Sequence, residues 1–286
     1  MLKRIIRALN KKLYFDLNNR KKCILKASHE QKLTDLMKSL EMIIGDNEII
    51  NQYTNISPES FKHPYWSVKL RAQHSFQISL VLKAVKLLKA DKDNLTIVDI
   101  GDSAGTHILY LKKILKNVRS LSVNLDKNAV EKIKRKGFEA ICCRAEELDN
   151  FNIKPDIFIS FQMLEHLLSP IQFLKCLSDK SECNFFVLTV PYKKNSKMGL
   201  QNIRRNDDKN ICAENLHIFE LSPEDWKLIF KFTGWKIEYE QIYRQYPERG
   251  IYKFTKSAWE ENDFEGFFGV ILEKDDTYKK LYTDWY

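Results

Sequence analysis

A short apolar run that ends in an acid and then breaks into a glycine-containing turn is the most constraining feature of this chain. The run covers residues 95–100, and Gly101 and Gly105 stand in the turn. Glycine lets a backbone turn tightly and approach a ligand where a side chain would collide, although a purely structural strand-to-helix turn needs glycine too. Leucines and isoleucines follow at helical spacing over residues 108–115. Strand, turn and helix in this order predict the opening of a doubly wound α/β sheet, whose ligand crevice lies at the carboxyl ends of its strands.

The spacing of the glycines distinguishes between two classes of nucleotide cofactor. A dinucleotide-binding turn has glycine at its first, third and sixth positions, which hold Gly101, Ser103 and Thr106 here. The turn instead resembles the first motif of the class I S-adenosylmethionine-dependent methyltransferases, in which an acid ends the strand and Gly-x-Gly-x-Gly follows. Ser103 replaces the middle glycine in this chain. The resemblance implies an S-adenosyl-L-methionine site in the turn, formed by Asp99, Gly101, Ser103 and Gly105.

Two further segments resemble the ribose and adenine motifs of the same family. Residues 120–126 form an alternating strand with a polar tip, where Asn124 stands at the position that usually holds an acid and Asp126 follows it. The resemblance implies that these side chains bind the ribose; as ordinary turn and helix-cap residues they would need no ligand. Arg144 stands where the family commonly has an aspartate. Backbone groups near Ala145 can still contact the adenine edge, so Arg144 and Ala145 are assigned to the cofactor site.

The most specific local match follows the fourth predicted strand, in residues 155–166. It ends in Gln162-Met-Leu-Glu165-His166, and the trailing Leu-Glu-His resembles a subgroup of these methyltransferases. The resemblance implies that Gln162 belongs to the cofactor site. Some quinone and catechol O-methyltransferases have a Glu-x-x-Glu-His form of this motif and bind a divalent metal. Because Gln162 lacks the first carboxylate of that form, no metal is predicted, although a site formed by Glu165, His166 and His217 stays an alternative.

Three more strands complete the predicted sheet, at residues 184–192, 236–243 and 266–273. Residues 216–226 contain a Ser-Pro-Glu sequence that is typical of a helix start. Together with the resemblance, these elements predict a Rossmann-like, seven-stranded, mostly parallel sheet with helices on both faces and an N-terminal helical extension. The predicted parts are an extension at residues 1–58 and a methyltransferase domain at residues 59–286, with its cofactor half at 95–192 and its substrate-side elements at 193–286.

Two histidines stand where a catalytic base is needed. The sulfonium of S-adenosylmethionine is already a strong electrophile, so such an enzyme must hold a nucleophile in line with the methyl group and remove its proton. Imidazole suits proton removal from a hydroxyl near neutral pH. His166, His217 and the adjacent Glu165 are therefore the predicted catalytic residues. The alternative is a structural role, with Glu165 at a helix start and His166 as a packed histidine.

The predicted helix before the first strand contains Arg71 and His74. In similar methyltransferases this helix covers the methionine end of the cofactor and can supply a cation to its carboxylate. A guanidinium pairs with a carboxylate through two hydrogen bonds, so Arg71 is predicted to bind the cofactor and His74 to lie beside it. A lone surface arginine would need no such explanation.

Positive charge is concentrated at the N terminus. Residues 1–26 hold nine basic side chains and one acid, a net charge of +8, whereas the whole chain carries +9. The rest of the chain is therefore close to neutral, which argues against a nucleic-acid-binding face. Leu2, Ile5, Leu9 and Leu13 recur at helical spacing within the basic segment. An amphipathic basic helix of this kind can lie on an anionic membrane, or it can pack on the catalytic domain or on a second subunit.

Localisation is predicted from what the sequence lacks. No apolar run reaches the roughly 18 residues that a membrane span requires. The six cysteines include no Cys-x-x-Cys pair and are interpreted as reduced thiols, with Cys142 and Cys143 in a predicted buried strand. A cytoplasmic protein is predicted, with contact to the inner membrane face through residues 1–26 as an option.

The methyl acceptor is predicted from the C-terminal part of the chain. An aromatic and polar insert over residues 243–264 contains Tyr243, Tyr246, Tyr252 and Trp259, whose flat faces suit stacking on a sugar ring. Similar proteins with a Leu-Glu-His pattern and a basic leader include enzymes that methylate bacterial surface glycans and their lipid-linked precursors. The resemblance therefore implies O-methylation of a sugar hydroxyl in such a glycan or precursor.

Alternatives to this function stay open. An RNA methyltransferase would use the basic N-terminal segment as its electrostatic contact. A small molecule or a quinone is a further acceptor class. A non-catalytic binding protein is a third alternative, because Ser103, Asn124 and Arg144 all depart from the family at cofactor contacts. A polar loop over residues 193–210 is expected to be a mobile substrate loop in an enzyme of this kind.

Overall fold

The computed structural model of the chain describes residues 13–53, 58–88, 95–150, 153–207, 211–212, 216–262 and 264–281. Most of the predicted amphipathic basic helix, residues 1–12, lies outside the described residues, and its membrane contact stays a prediction. None of the described helices combines the length and the apolar character that a membrane span requires.

Seven strands form the main sheet, and two short ones pair separately. In chain order the strands are β1 Thr96–Ile100, β2 Arg119–Asn124, β3 Glu139–Cys142, β4 Ile157–Phe161, β5 Phe185–Pro191, β6 Lys197–Met198, β7 Phe219–Glu220, β8 Trp235–Arg244 and β9 Gly266–Lys274. The main sheet has the order β3-β2-β1-β4-β5-β9-β8, and β6 pairs with β7. Strands β1 to β5 pair in parallel, whereas β9 runs antiparallel between β5 and β8. The strand order changes direction between β1 and β4, which is where a doubly wound sheet opens its ligand crevice.

Ten helices surround the sheet in the described residues. They are α1 Leu17–Glu30, α2 Thr34–Ile43, α3 Asp46–Ile50, α4 Pro64–Leu87, α5 Thr106–Ile114, α6 Lys127–Arg135, α7 Pro170–Lys180, α8 Gln201–Arg204, α9 Pro223–Phe232 and α10 Lys256–Glu261. Short 3-10 turns occur at Pro58–Phe61, Ala145–Asn150, Leu164–His166, Ile251–Thr255 and Lys279–Leu281. Side-chain oxygens of Asp16, Asp126 and Ser222 cap the starts of α1, α6 and α9 by accepting backbone N–H groups that the helix leaves unpaired.

Hydrophobic cores lie on both faces of the sheet. One core joins α1, α2, α4 and α5 to the sheet, and the other packs Trp226 and Phe230 of α9 and Leu174 of α7 on the opposite face. Helices on both faces and a seven-stranded, mostly parallel sheet confirm the predicted Rossmann-like architecture with an N-terminal helical part. The helical extension shares its core with α4, so it is part of the same folded unit.

The position of β3 at the sheet edge corrects one prediction. Strands β4 and β5 are buried on both faces, as their continuous apolar sequences require. In β3, however, the end residues are exposed; Cys142 is exposed and the following Cys143 is only half-buried. The prediction of a fully buried cysteine pair was wrong, because an edge strand has a neighbour on one side only.

Three of the four rings named in the aromatic insert are packed inside the protein, whereas Tyr252 is half-buried. Tyr243, Tyr246 and Trp259 have exposed fractions of 1%, 3% and 0%. The Tyr243 hydroxyl lies 2.9 Å from the Ser28 hydroxyl of α1, and the Tyr14 ring meets the Trp259 ring edge to face at 5.1 Å. These rings bind the helical extension to the sheet. The prediction that they form an open platform for a sugar ring was therefore wrong.

Candidate active site

The turn after β1 needs glycine at two positions for different reasons. Gly101 has a φ of +95° and Gly105, which precedes α5, a φ of +72°. A Cβ on Gly101 would lie 2.9 Å from the Met163 side chain, which belongs to the loop after β4. A Cβ on Gly105 would instead lie 3.2 Å from the Phe138 ring. Gly101 therefore keeps the crevice narrow between the loops after β1 and β4, whereas Gly105 lets α5 begin close to Phe138 and to Ile133 of α6. The half-buried Ser103 lies in the same turn.

A buried polar cluster lies beneath this turn. Asp99 and Asp102 are each 1% exposed and His107 is 9% exposed. The His107 Nδ1 atom lies 3.3 Å from an Asp99 oxygen and 3.9 Å from an Asp102 oxygen. The Asp102 carboxylate accepts hydrogen bonds from the Thr106 N–H at 3.2 Å and from the Ser122 hydroxyl at 3.1 Å. The sequence analysis named Asp99 but missed Asp102 and His107, whose contact depends on the turn geometry.

Burial controls the ionisation of both acids. It raises the pKa of Asp99 well above the usual range, and burial together with the nearby Asp99 raises the pKa of Asp102 to about 7. Burial also lowers the pKa of His107, with Asp102 opposing that change. The cluster therefore favours its neutral forms.

Asp102→Asn is expected to stabilise the protein above neutral pH. An acid whose folded-state pKa is raised costs stability as the pH rises from its unfolded pKa to its folded pKa, because the unfolded chain releases the proton first. For Asp102 that interval runs from 3.8 to about 7. The free energy of unfolding of the variant should match the wild type near the lower end and exceed it by about 4 kcal/mol above the upper end. Urea denaturation across this pH range measures it. Glu131→Gln, which changes an exposed acid, should follow the wild type; a constant offset for Asp102→Asn would contradict the expectation.

His74 lies behind the turn and away from solvent. It is 3% exposed, and its ring centroid lies 5.0 Å from that of His107. Burial lowers its pKa well below the usual value, with the neighbouring His107 and Arg71 adding to the effect. A buried neutral imidazole can support the turn through its contact with His107. Cofactor contact at His74 stays a prediction.

The structure places Arg71 in the helical layer. Its guanidinium donates to the carbonyl oxygens of Leu40 and Ile44 at 3.1 and 2.7 Å, to the Tyr110 hydroxyl at 3.2 Å and to Asp46 at 3.0 Å. These acceptors belong to α2, to Ile44 just after it, to α3 and to α5. Arg71 was predicted to bind a cofactor carboxylate. Its donors are instead occupied by these contacts, which join the extension to α4, so that prediction was wrong.

Arg71→Met is expected to destabilise the fold and to leave cofactor binding intact. The change removes the Arg71 donor from the Ile44 carbonyl and the Tyr110 hydroxyl, while the Leu40 carbonyl keeps the Ile44 N–H, so the free energy of unfolding should fall by about 2 kcal/mol or more. Chemical denaturation measures this loss, and Arg135→Met at an exposed position of α6 is the control. Calorimetry with S-adenosylhomocysteine, below the melting temperature, tests the second half. A folded Arg71→Met protein that no longer binds this ligand would restore the original assignment.

The polar tip of β2 is held by local hydrogen bonds. The Asn124 side chain donates to the Asp102 carbonyl at 3.0 Å and accepts from the Asp126 N–H at 2.8 Å. One Asp126 oxygen caps α6 by accepting from the Asn128 N–H at 2.9 Å. These contacts account for both residues as turn and cap, while their place at the end of β2 agrees with the ribose prediction. Cofactor contact at either residue stays a prediction.

The residues assigned to adenine lie at the sheet edge. Arg144 is exposed and Ala145, which begins a 3-10 turn, is half-buried. The Arg144 N–H approaches a Glu147 oxygen at 3.4 Å. Ala145 also lines a cavity of about 220 Å³ between this turn and α7. The structure leaves the adenine assignment as a prediction.

Gln162 connects the loop after β4 to β5. It has a φ of +57°, which is uncommon outside glycine. Its backbone N–H donates to the Thr189 carbonyl at 2.8 Å, and its side chain donates to the Thr189 hydroxyl at 3.1 Å. Gln77 of α4 donates to the same hydroxyl at 3.2 Å. Gln162 thus fixes the loop that carries Met163 and the following Leu-Glu-His.

The structure brings the three predicted catalytic residues together. Glu165 is fully buried, neither of its oxygens has a hydrogen-bond partner in the described residues, and burial raises its pKa. His166 Nε2 lies 3.9 Å from a Glu165 oxygen, and the rings of His166 and His217 meet edge to face at 4.9 Å. A backbone hydrogen bond of 2.7 Å from Ile218 to the Glu165 carbonyl joins the two segments. Positions that are far apart in sequence therefore form one cluster.

Each imidazole is oriented through its Nδ1 atom. His166 Nδ1 lies 2.8 Å from the Leu216 carbonyl oxygen, so it carries the proton and donates it there. His217 Nδ1 lies 3.1 Å from a Glu220 oxygen. Both Nε2 atoms are thereby left as the basic atoms of the rings. This tautomer follows from the hydrogen-bond partners.

Glu220 is a functional candidate that the sequence analysis missed. Lys193 and Lys197 place their Nζ atoms 3.3 and 3.5 Å from its two oxygens. Burial alone would raise its pKa, but the contacts with His217 and Lys193 outweigh burial and lower the pKa to about 2. Glu220 is therefore a permanent carboxylate behind His217. The signal that could have revealed it is the short spacing between these two residues.

The segment after β5 is partly fixed against the histidine cluster. Lys197–Met198 pairs with Phe219–Glu220, and the Gly199 and Leu200 N–H groups donate to Ile218 and His217 carbonyl oxygens at 2.9 and 2.7 Å. A Cβ on Gly199 would collide with the His217 carbonyl. The predicted mobile loop thus includes a part that positions His217, while residues 208–210 lie outside the described residues.

The donor atoms of Glu165, His166 and His217 also fit a metal ion. One ligand atom from each lies within 4.8 Å of the others. A carboxylate and two imidazoles, each imidazole held through its second nitrogen, are a donor set that zinc and other transition metals accept. The buried, unpartnered Glu165 carboxylate supports this fit.

Comparison with known proteins supports the fold. A putative sarcosine dimethylglycine methyltransferase from Galdieria sulphuraria is 12% identical, with a TM-score of 0.56 over 87% of this chain and 99% of that chain. The cyclase SpnF is 12% identical, with a TM-score of 0.55 over 87% and 97%. The O-methyltransferase of a trans-AT polyketide synthase from Brevibacillus brevis, solved with S-adenosyl-L-homocysteine, is 11% identical, with a TM-score of 0.51 over 82% of each chain.

No protein-family model and no curated protein matches the sequence. At this identity the likeness shows that the chain has the Rossmann-like methyltransferase fold, and a cyclase among the neighbours shows that the fold alone does not assign a reaction.

Proposed function

We propose that the protein is an S-adenosylmethionine-dependent O-methyltransferase. The observation that carries the proposal is the pairing of His217 with Glu220 beside His166 and the buried Glu165. This cluster follows β4, next to the glycine turn after β1, where the fold opens its ligand crevice. The methyltransferase fold and the first-motif resemblance support the choice of cofactor.

Different residues of the chain bind the cofactor and remove the proton. Asp99, Gly101, Ser103 and Gly105 form the turn that receives the cofactor. When bound, S-adenosylmethionine supplies the methyl group as an electrophile. His217 accepts the proton of the acceptor hydroxyl at Nε2, because Glu220 holds the Nδ1 proton and stabilises the charged ring.

His166 and Glu165 complete the proposed acceptor site. The Nε2 atom of His166 offers a hydrogen-bond acceptor for a second donor group of the acceptor, next to the hydroxyl that His217 deprotonates. Glu165, with an oxygen 3.9 Å from His166 Nε2, favours positive charge on the rings in its ionised form as the proton moves. Tight positioning by these groups supplies most of the rate in such a reaction.

The acceptor class is the finer part of the proposal. A sugar hydroxyl in a surface glycan or lipid-linked precursor is supported by the Leu-Glu-His resemblance and by the basic residues 1–26, which would keep a cytoplasmic enzyme near an anionic membrane. The aromatic insert no longer supports it, since Tyr243, Tyr246 and Trp259 are buried. A small-molecule acceptor is tested beside the glycans.

Calorimetric titration with S-adenosylhomocysteine, with NAD as the control ligand, is the first experiment. Micromolar binding of the first ligand alone, about 8 kcal/mol, is expected. Mass spectrometry of reactions with hydroxyl acceptors then identifies the methylated product. Absence of binding would favour a non-catalytic protein, consistent with the departures at Ser103, Asn124 and Arg144.

A metal-assisted form of the same reaction is the second candidate, favoured by the donor set of Glu165, His166 and His217. Such an ion would polarise the acceptor oxygen. Turnover that survives exhaustive chelation assigns His217 as the base. Turnover that is lost on chelation and restored by zinc, manganese or magnesium assigns the cluster to the metal.

A further inference from the structure

Two cations in the helical layer have no acidic partner among the described residues. Arg20 of α1 and Lys69 of α4 are half-buried, and neither forms an ion pair with a described carboxylate. The Lys69 Nζ atom lies 4.0 Å from the Phe264 ring centroid and 5.2 Å from that of Trp66. Ring faces attract a cation but replace only part of its lost hydration. An ammonium group in this setting favours the approach of a counter-ion.

A buried hydroxyl joins the two cations. Tyr65 is fully buried, and the described hydrogen-bonding group beside its hydroxyl is the Arg20 guanidinium, which opposes the rise in the Tyr65 pKa that burial causes. It precedes Lys69 by one helical turn, so both side chains lie on the same side of α4. The guanidinium carbon of Arg20 lies 5.8 Å from the Tyr65 ring centroid. The Tyr65 hydroxyl and the Arg20 guanidinium therefore lie together, with Lys69 one helical turn away on the same side of α4.

The guanidinium of Arg20 is held in one orientation by Tyr14. Its Nε donates to the Tyr14 carbonyl at 2.6 Å, and its central carbon lies 4.0 Å above the Tyr14 ring. Its terminal nitrogens face the Tyr65 hydroxyl and offer further N–H groups of the kind that pair with carboxylates or phosphates. Burial, followed by the charge of Arg20, lowers the pKa of Lys69 to about 7. The repulsion would be relieved by an anion between them.

We propose that Arg20, Lys69 and the Tyr65 hydroxyl bind an anionic group, a phosphate or a carboxylate, of the methyl acceptor. This inference rests on the proposed function and narrows its substrate class. The same helix leads from Lys69 to Gln77, about 12 Å further along at about 1.5 Å per residue. Gln77 donates to Thr189, which also anchors Gln162 in the crevice. An acceptor anchored at Lys69 would reach the crevice over about this distance, with Trp66 and Phe264 beside its anionic group.

Calorimetry with inorganic phosphate and with acetate tests the site without a known acceptor. Phosphate or acetate affinity should fall about tenfold or more in Lys69→Met and in Arg20→Gln. Lys83→Met is the matched control, because Lys83 lies on the same helix with its Nζ 3.6 Å from the Tyr239 ring centroid. A preference for phosphate or for acetate identifies the anionic group. Absence of binding, or equal affinity in Lys69→Met and Lys83→Met, overturns the proposal.

The same variants separate this inference from the proposed function. Each is first compared with the wild type by thermal melting, and Arg20→Gln serves if Lys69→Met does not fold. S-adenosylhomocysteine binding should be unchanged in both variants. If that ligand does not bind the wild type but the anion binds at Lys69, the methyltransferase proposal fails and the anion site stands. For a phosphorylated or carboxylated acceptor, Lys69→Met should raise KM about tenfold with kcat retained; equal KM values overturn the inference alone.

Discussion

His217→Ala is expected to lower turnover about a hundredfold or more, while the affinity for S-adenosylhomocysteine stays unchanged. The reason is the geometry of the ring: Glu220 lies 3.1 Å from Nδ1, so Nε2 is the atom that can take a proton. The pairing of β6 with β7 fixes the position of His217, and the glycine turn does not. Loss of the imidazole therefore leaves the cofactor cradle in place. Single-turnover kinetics and calorimetry measure the two quantities separately. His29→Ala, at an exposed position of α1, is the control.

Glu220→Gln extends the test to a positioning residue. The amide keeps the shape of the side chain but removes the negative charge that stabilises the protonated ring, so the apparent pKa of the base in the pH–rate profile should fall. If Glu220 had a purely structural role, Glu220→Gln would lower activity without shifting the pH–rate profile. Equal loss of S-adenosylhomocysteine binding and of turnover in His217→Ala would contradict the division between binding and catalysis.

The sheet could be predicted because each of its central strands carries a local signal. The apolar residues of β4 and β5 are buried on both faces, and the glycine turn marks the carboxyl end of β1. Burial on two faces requires continuous apolar sequence, which is visible without a structure. The edge position of β3 is set by pairing with a single neighbour, so its exposed Cys142 could not be inferred from a local apolar pattern.

The roles of the aromatic insert and of Arg71 could not be predicted from the residues next to them in sequence. Tyr243 and Trp259 have the composition of a ligand platform, but the helical extension covers them. Arg71 has the chemistry of a carboxylate-binding residue, but carbonyl groups of the same extension use its donors. In both cases a distant segment decides the role of the side chain, and nothing adjacent in sequence identifies that segment.

The members of the candidate catalytic cluster could be predicted from the sequence, but their contacts could not. Glu165 and His166 were named from a motif and His217 from the start of a helix, yet the 2.7 Å hydrogen bond from Ile218 to the Glu165 carbonyl is what brings them together. Glu220 was missed because its role depends on the two-residue pairing of β6 with β7 and on Lys193 across it. Short strands of this kind leave no periodic signal.

Gly101→Ala is expected to reduce S-adenosylhomocysteine affinity about a hundredfold or more while the protein stays folded. Gly101 has a φ of +95°, and a Cβ there would lie 2.9 Å from Cγ and 3.2 Å from Cβ of Met163. Met163 can yield only by moving within the loop that Gln162 anchors to Thr189. The new methyl group and the displaced side chain would both occupy the crevice between the loops after β1 and β4.

Gly137→Ala is the matched control for this prediction. Gly137 has a φ of +80°, but no described atom lies within 4 Å of the position that an alanine methyl group would take there, and the residue follows α6, away from the turn. Both variants bear the cost of a left-handed alanine, about 1–2 kcal/mol, and Gly101→Ala adds the cost of displacing Met163, so thermal melting of Gly137→Ala measures the backbone part alone. Only Gly101→Ala should lose the ligand. If both variants bind S-adenosylhomocysteine as the wild type does, the cofactor does not lie against Gly101, and the crevice after β1 is not its binding site.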